Sequence, residues 1–259
     1  TDKTNLEQST DRREVAEHTQ RADAPRSPVS PEDSLKYLHV RPGMKVELVA
    51  AEPLIRDPVA FDWGADGKLW VVEYLDYPTG IDGKGTGGGR VVFLEDENDD
   101  GRYDKSTVFI DKLNFPTGVM AWRKGILITA APDILYAEDT NADGKADKIE
   151  KLYTGFHEAN QQLRVNGLRW GLDGWIYCAS GSHHAGYGKE SKIKSTKTGE
   201  LVHIGARDFR IRPDEGLIEP VSGPSQFGRN RDAWGNWFGC QNAKPMFHYV
   251  LEDRYLRRN

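Results

Sequence analysis

The sequence predicts an all-β fold, a β-propeller of which the chain supplies about three to four blades of a six-bladed ring, behind a short N-terminal helix and a disordered leader. Three observations predict it. Trp63-Gly-Ala-Asp-Gly67 returns as Trp170-Gly-Leu-Asp-Gly174, each copy set between an extended segment and an aromatic, aliphatic run, which is a hairpin signature. Asp96-Glu-Asn-Asp-Asp-Gly-Arg-Tyr-Asp104 returns as Asp139-Thr-Asn-Ala-Asp-Gly-Lys-Ala-Asp147. The first residues of these acidic loops stand 43 positions apart, close to the roughly 40–50 residues of one four-stranded blade.

Residues 1–29 are polar and mixed in charge, so burial cannot offset their ordering entropy and a flexible leader is expected. Ser30-Pro-Glu-Asp33 sets a hydroxyl N-cap before Pro at the first helical position, which predicts a short helix to about Leu38 within a lead-in of residues 30–44. Residues 45–259 are assigned to blades, beginning with the alternating strand Lys45–Ala50. Blade one takes Val59–Asp62, Leu69–Tyr74, Arg90–Leu94 and Ser106–Ile110; blade two takes Thr117–Trp122, Gly125–Thr129, Ile134–Tyr136 and Ile149–Thr154. Blade three opens with Arg164–Ser180 and continues through Leu201–Ile204, Phe209–Arg212 and Leu217–Val221, while Gln226–Gly239 and Pro245–Val250 begin a fourth. Closed rings have roughly four to eight blades, so about three and a half reads as the N-terminal piece of a longer protein or as a ring closed in an unusual way.

Composition narrows the partners. A net charge of −5 argues against a nucleic-acid surface. No run of about 18 apolar residues exists, so no span is expected. Two cysteines, Cys178 and Cys240, lack zinc or CxxCH spacing and read as free thiols, with a disulfide as the alternative. Gly83, Gly85 and Gly88 satisfy G-x-G-x-x-G, but the β-type run Arg90–Leu94 follows where a dinucleotide site needs a helix, so a hairpin loop is expected.

The acidic loops carry the metal expectation. Asp96, Asn98, Asp100, the Arg102 carbonyl and Asp104 follow the ligand order of a calcium loop, as do Asp139, Asn141, Asp143, the Lys145 carbonyl, Asp147 and, at position twelve, Glu150. Between strands such sites would be structural, with an acidic turn satisfied by water as the alternative. Millimolar calcium suits an extracytoplasmic, periplasmic or secreted setting, although no signal peptide is visible. His183 and His184 sit in a Gly/Ser-rich loop after an expected inner strand, where an axial pocket would open, with solvated loop histidines as the alternative. Arg229-Asn-Arg-Asp232, beside Trp234 and Trp237, reads either as an anion or sugar site or as an inter-blade hydrogen-bond network.

Val46-Glu-Leu-Val-Ala-Ala-Glu-Pro53, Phe115-Pro-Thr-Gly-Val-Met120, Arg164–Tyr177, Asp232-Ala-Trp-Gly-Asn-Trp-Phe-Gly-Cys240 and Asp253–Asn259 carry a resemblance that covers nearly everything from Ser30 onward. They resemble the N-terminal propeller of the membrane-bound dehydrogenases also described as PVC-type haem-binding CxxCH proteins, which is similar to quinoprotein glucose/sorbosone dehydrogenases. The resemblance implies oxidation of a sugar or alcohol with pyrroloquinoline quinone, and electrons passed to a cytochrome c domain whose haem motif this sequence lacks. It nominates Arg164, Asn166, Arg229 and Asn230 to hold the cofactor. It also implies a catalytic His eight residues before Gly171, where this sequence has Leu163. Either His183 or His184 supplies the base, or this copy is a non-catalytic carbohydrate- or protein-binding propeller.

Overall fold

The computed structural model describes residues 28–182 and 190–257. Two compact units divide after Leu48. In the first, Pro31–Ser34 forms helix α1 and Leu35–Tyr37 continues it as a 3-10 turn. The Ser30 hydroxyl accepts the Asp33 amide at 3.1 Å, the cap that the motif predicts. The expected leader lies almost wholly outside the described residues.

The second unit is a β-propeller domain, with 17 strands in four antiparallel sheets among the described residues. Blade 1 is β1 (Pro58–Trp63), β2 (Leu69–Glu73), β3 (Gly89–Glu95) and β4 (Lys105–Leu113), paired in that order. Blade 2 is β5 (Gly118–Trp122), β6 (Gly125–Ala130), β7 (Asp133–Glu138) and β8 (Lys148–Thr154). Strands β9 (Asn166–Trp170) and β10 (Ile176–Ala179) open blade 3. The chain then leaves that blade, and β11 (Lys192–Ser195) with β12 (Leu201–His203) forms a hairpin on the outer edge of blade 2. Strands β13 (Asp208–Arg212) and β14 (Leu217–Val221) complete blade 3, and β15 (Arg229–Arg231), β16 (Trp237–Gln241) and β17 (Lys244–His248) make blade 4. A short helix, α2 (Asp253–Leu256), follows. No described helix is long and apolar enough to cross a membrane.

Two strand expectations are corrected. Leu201–Ile204 does not join blade 3: Lys194 pairs with Thr154 and Leu201 with Lys194, so this hairpin extends blade 2. Period-two patterning gives a strand its faces but not its neighbour. Lys45–Ala50 forms no strand, because no ladder lies beside it; the Val49 carbonyl accepts a single bond from the Tyr103 amide.

Side chains between blades form the core. Trp70 and Phe109 meet edge to face at 4.8 Å within a cluster shared by blades 1 and 2, and Phe156 lies 5.1 Å from Phe209 in the cluster shared by blades 2 and 3. Burying each such ring stabilises the fold by about 1.5–3 kcal/mol. Leu54 and Ile55 cover the other face of blade 1 over Leu69, Val71 and Leu94.

The repeated Trp-Gly-x-Asp-Gly turn has a steric cause. A Cβ on Gly64 would sit 2.4 Å from Asp66 Oδ1, and one on Gly171 would sit 2.4 Å from Asp173 Oδ1. That carboxylate folds beneath the glycine and accepts the amide of Lys68 or Trp175. Only the second glycine of each copy takes positive φ, +82° at Gly67 and +73° at Gly174, whereas a two-residue Asp-Gly hairpin turn would place the aspartate there as well.

Candidate functional site

The innermost strands β1, β5, β9 and β15 run side by side about the propeller axis. Their ends, with the loops above them, enclose a largely apolar cavity of about 720 Å³. Glycine permits the close approach of blades 3 and 4 there. Gly167 has φ +68°, and a Cβ on it would lie 2.5 Å from Gly228 Cα.

The loop after β2 brings Tyr74 and Tyr77 to the cavity, stacked at 5.4 Å with 19° between their planes. The turn before β9 brings Gln161 and Gln162. Tyr74 donates its hydroxyl to the Gln161 carbonyl at 2.8 Å, and Gln162 Nε2 bonds the Tyr77 hydroxyl. Burial raises the Tyr74 pKa above the ordinary tyrosine value, with the Arg164 charge opposing it, so its hydroxyl stays a donor.

Arg164 and Asn166 also lie in this wall, together with Arg229 and Asn230 from blade 4. The structure thus brings the four nominated residues to one place. Three of them have bonds elsewhere. Asn166 Nδ2 donates to the carbonyls of Arg164 and Gln226, both at 2.8 Å. Asn230 Oδ1 accepts the Arg231 amide at 2.9 Å. Arg229 Nη1 lies 3.2 Å from Asp208 Oδ2 and 3.0 Å from the Ser222 carbonyl, and its guanidinium sits 4.8 Å from the Trp237 ring and 4.7 Å from that of Tyr249. Arg164 differs. It is 6% exposed; Nη2 donates to the Glu158 carbonyl at 2.9 Å, whereas two of its nitrogens, Nε and Nη1, have no partner among the described residues, against one, Nε, in Arg229.

Asp208 anchors the junction of blades 3 and 4. Fully buried, it accepts the amides of Ser180 and Ser225 at 3.0 and 2.9 Å, the Ser225 hydroxyl at 2.6 Å, Arg229, and the Tyr249 hydroxyl at 3.3 Å. Burial pushes its pKa up, and Arg229 with these hydrogen bonds pulls the other way. For Arg229 itself this geometry is an inter-blade ion pair and hydrogen bond.

Leu163 is buried and offers no proton acceptor. His183 and His184 lie outside the described residues. No Asp, Glu or His is among the described residues that line the cavity. Cys178 is a buried free thiol pushed well above its usual pKa by burial, and Cys240 is free in the cavity wall.

The two acidic loops occupy equivalent turns, β3–β4 and β7–β8, and fold alike. Asp96 accepts the amides of Asp99 at 2.8 Å and Gly101 at 2.9 Å; Asp139 accepts those of Ala142 at 2.7 Å and Gly144 at 2.8 Å. Burial acts to raise the Asp139 pKa, but four backbone amides hold it below the ordinary carboxylate value. Asp104 and Asp147 accept the amides of Glu97 and Thr140, Asn98 and Asn141 accept those of Asp100 and Asp143, and Asp100 and Asp143 those of Arg102 and Lys145. Glu150 stands outside its loop on β8, with Oε1 3.2 Å from Lys148 Nζ. Among the described residues, no three His, Cys, Asp or Glu side chains are arranged to hold a metal ion.

Fold and cavity define the chain as a β-propeller domain with an axial pocket. It belongs to the family described as Domain of unknown function (DUF7133), whose model matches residues 30–259. No curated protein matches. Similar solved structures include the holo pyranose dehydrogenase PQQ domain from Coprinopsis cinerea, at 17% identity and TM-score 0.45, covering 71% of this chain and 43% of that one. Another is virginiamycin B lyase from Staphylococcus aureus, at 13% identity and TM-score 0.34, covering 75% and 56%. The chain thus spans about half the length of these structures or less.

Proposed function

We propose that the axial cavity recognises a sugar-like small molecule and that the chain is a binding propeller. The observation that carries this reading is the stacked Tyr74–Tyr77 pair beside the amides of Gln161 and Gln162. Aromatic faces suit the C–H face of a pyranose, and side-chain amides suit its hydroxyls. Oxidation of an alcohol also needs a proton acceptor, and the described lining supplies neither carboxylate nor imidazole. Calorimetry with a panel of hexoses tests the reading. Tyr77→Ala should weaken the binding sugar about tenfold, a loss of about 1.4 kcal/mol; affinity unchanged in that variant would sink the proposal.

A second reading, a sugar or alcohol dehydrogenase that delivers electrons to a cytochrome c domain, draws on the convergence of Arg164, Asn166, Arg229 and Asn230 at the cavity. The fit to pyrroloquinoline quinone is incomplete. That cofactor carries several carboxylates, whereas Asn166, Asn230 and Arg229 Nη1 have bonds within the chain, which leaves as orphaned donors among the four Arg164 Nε and Nη1 and the single Nε of Arg229. No step is derived through it. Dye-linked turnover of any sugar after addition of the quinone and calcium would replace the binding reading with this one. Calcium at the two acidic loops, and the extracytoplasmic setting in which such sites fill, belong to the same proposal.

A further inference from the structure

We infer that the ligand of the axial cavity carries a carboxylate, so that the site takes a sugar acid in preference to a neutral sugar; this rests on the sugar-binding reading above. Arg164 is the reason. A guanidinium so deeply buried is ordinarily matched by a carboxylate or a full set of acceptors, because an unmatched buried charge is costly. Here Nη2 has the Glu158 carbonyl, the ring of Phe115 lies 4.7 Å away, and Nε and Nη1 have no hydrogen-bond partner among the described residues. Nη2 carries one proton on each of the two forked edges of the guanidinium. Whichever proton the Glu158 carbonyl takes, the other edge keeps two parallel donors, the pattern that a carboxylate accepts.

The charge around the cavity agrees. Its described lining holds Arg164, Arg169 and Arg229 and no carboxylate, in a chain whose net charge is −5. Arg229 is neutralised by Asp208 behind the wall. Beside Arg164 the other lining groups, the tyrosine pair and the glutamine amides, carry no charge, and the fully buried Asp76, whose charge acts on Tyr74 as that of Arg164 also does, is not among the lining residues. A hydroxyl would leave the second donor of the fork unmatched; a carboxylate fills both.

The test is calorimetry on the intact chain with glucuronate, galacturonate, glucose, galactose and pyrroloquinoline quinone. The wild type should bind one of the uronates at least tenfold more tightly than its neutral counterpart. Arg164→Gln should abolish that preference, with the uronate losing at least tenfold in affinity, and Arg164→Lys should restore part of it. Equal affinity for acid and neutral sugar in the wild type overturns the inference and leaves the sugar-binding reading standing; this comparison needs no variant to fold. No binding of any sugar by folded protein overturns both. Quinone binding that depends on Arg164 and excludes the uronate assigns the charge to a cofactor, and also overturns the inference.

Discussion

At the scale of residues, one buried carboxylate organises the wall of the cavity. Asp208 gathers donors from the end of β10, from the segment before β15 and from Tyr249, and it neutralises Arg229 beneath three aromatic rings. Asp208→Asn leaves the guanidinium buried without a counter-charge and should cost about 3–5 kcal/mol, read as a lower midpoint in urea unfolding. Replacing Asp208 and Arg229 together by apolar residues should cost less than the single change. Equal midpoints for Asp208→Asn and wild type would show the pair to be idle. Arg229 could be singled out in the sequence because it stands in a run of charge beside two tryptophans. Asp208 could not, since in Ala-Arg-Asp-Phe-Arg it looks like any strand-end carboxylate. Tyr74 and Tyr77 escaped for a related reason. They reach the cavity from a loop 87 and 85 residues away from their partners Gln161 and Gln162, and no local pattern announces such a meeting.

Elements were legible where local sterics dictate them. The Trp-Gly-x-Asp-Gly turns are set by an aspartate tucked beneath a glycine, and the cap of α1 is set by a serine and the amide three residues on. The partner of the β11–β12 hairpin is set by which sheet edge stands open, a property of the assembled blades. The acidic loops belong to this scale too. Each is a turn braced by its own amides, and under the calcium reading proposed above an ion would tighten it. With a dissociation constant on the order of 10⁻⁴ M, calcium at a hundredfold excess adds about 2.7 kcal/mol of stability. That corresponds to a rise in Tm of about 5–10 °C. Asp139→Asn with Asp143→Asn should remove most of the gain. A melting temperature indifferent to calcium and to its chelation would reduce both loops to acidic turns.

For the whole molecule, buried tyrosines set an alkaline limit. Burial raises the pKa of Tyr74, Tyr153 and Tyr249, and that of Tyr136 to about 12. Each keeps its proton in the fold at a pH where an unfolded tyrosine loses it. The stability they contribute is therefore intact below about pH 10 and drains away as pH climbs past that point. Thermal melts between pH 8 and 12 should show a steep fall above 10, and a level curve would contradict this account.

The hairpin that departs from blade 3 to edge blade 2 has a consequence for how the molecule breathes. Blade 2 cannot shed its outermost ribbon without tugging on the chain that returns to form β13, so the two blades should open as one cooperative unit. Amide hydrogen exchange at Tyr153 and Ser195 on the one side, and at Phe209 on the other, should then share a single protection level. Exchange that is fast across β11 and slow across β13 would mean that the crossing ribbon peels away on its own.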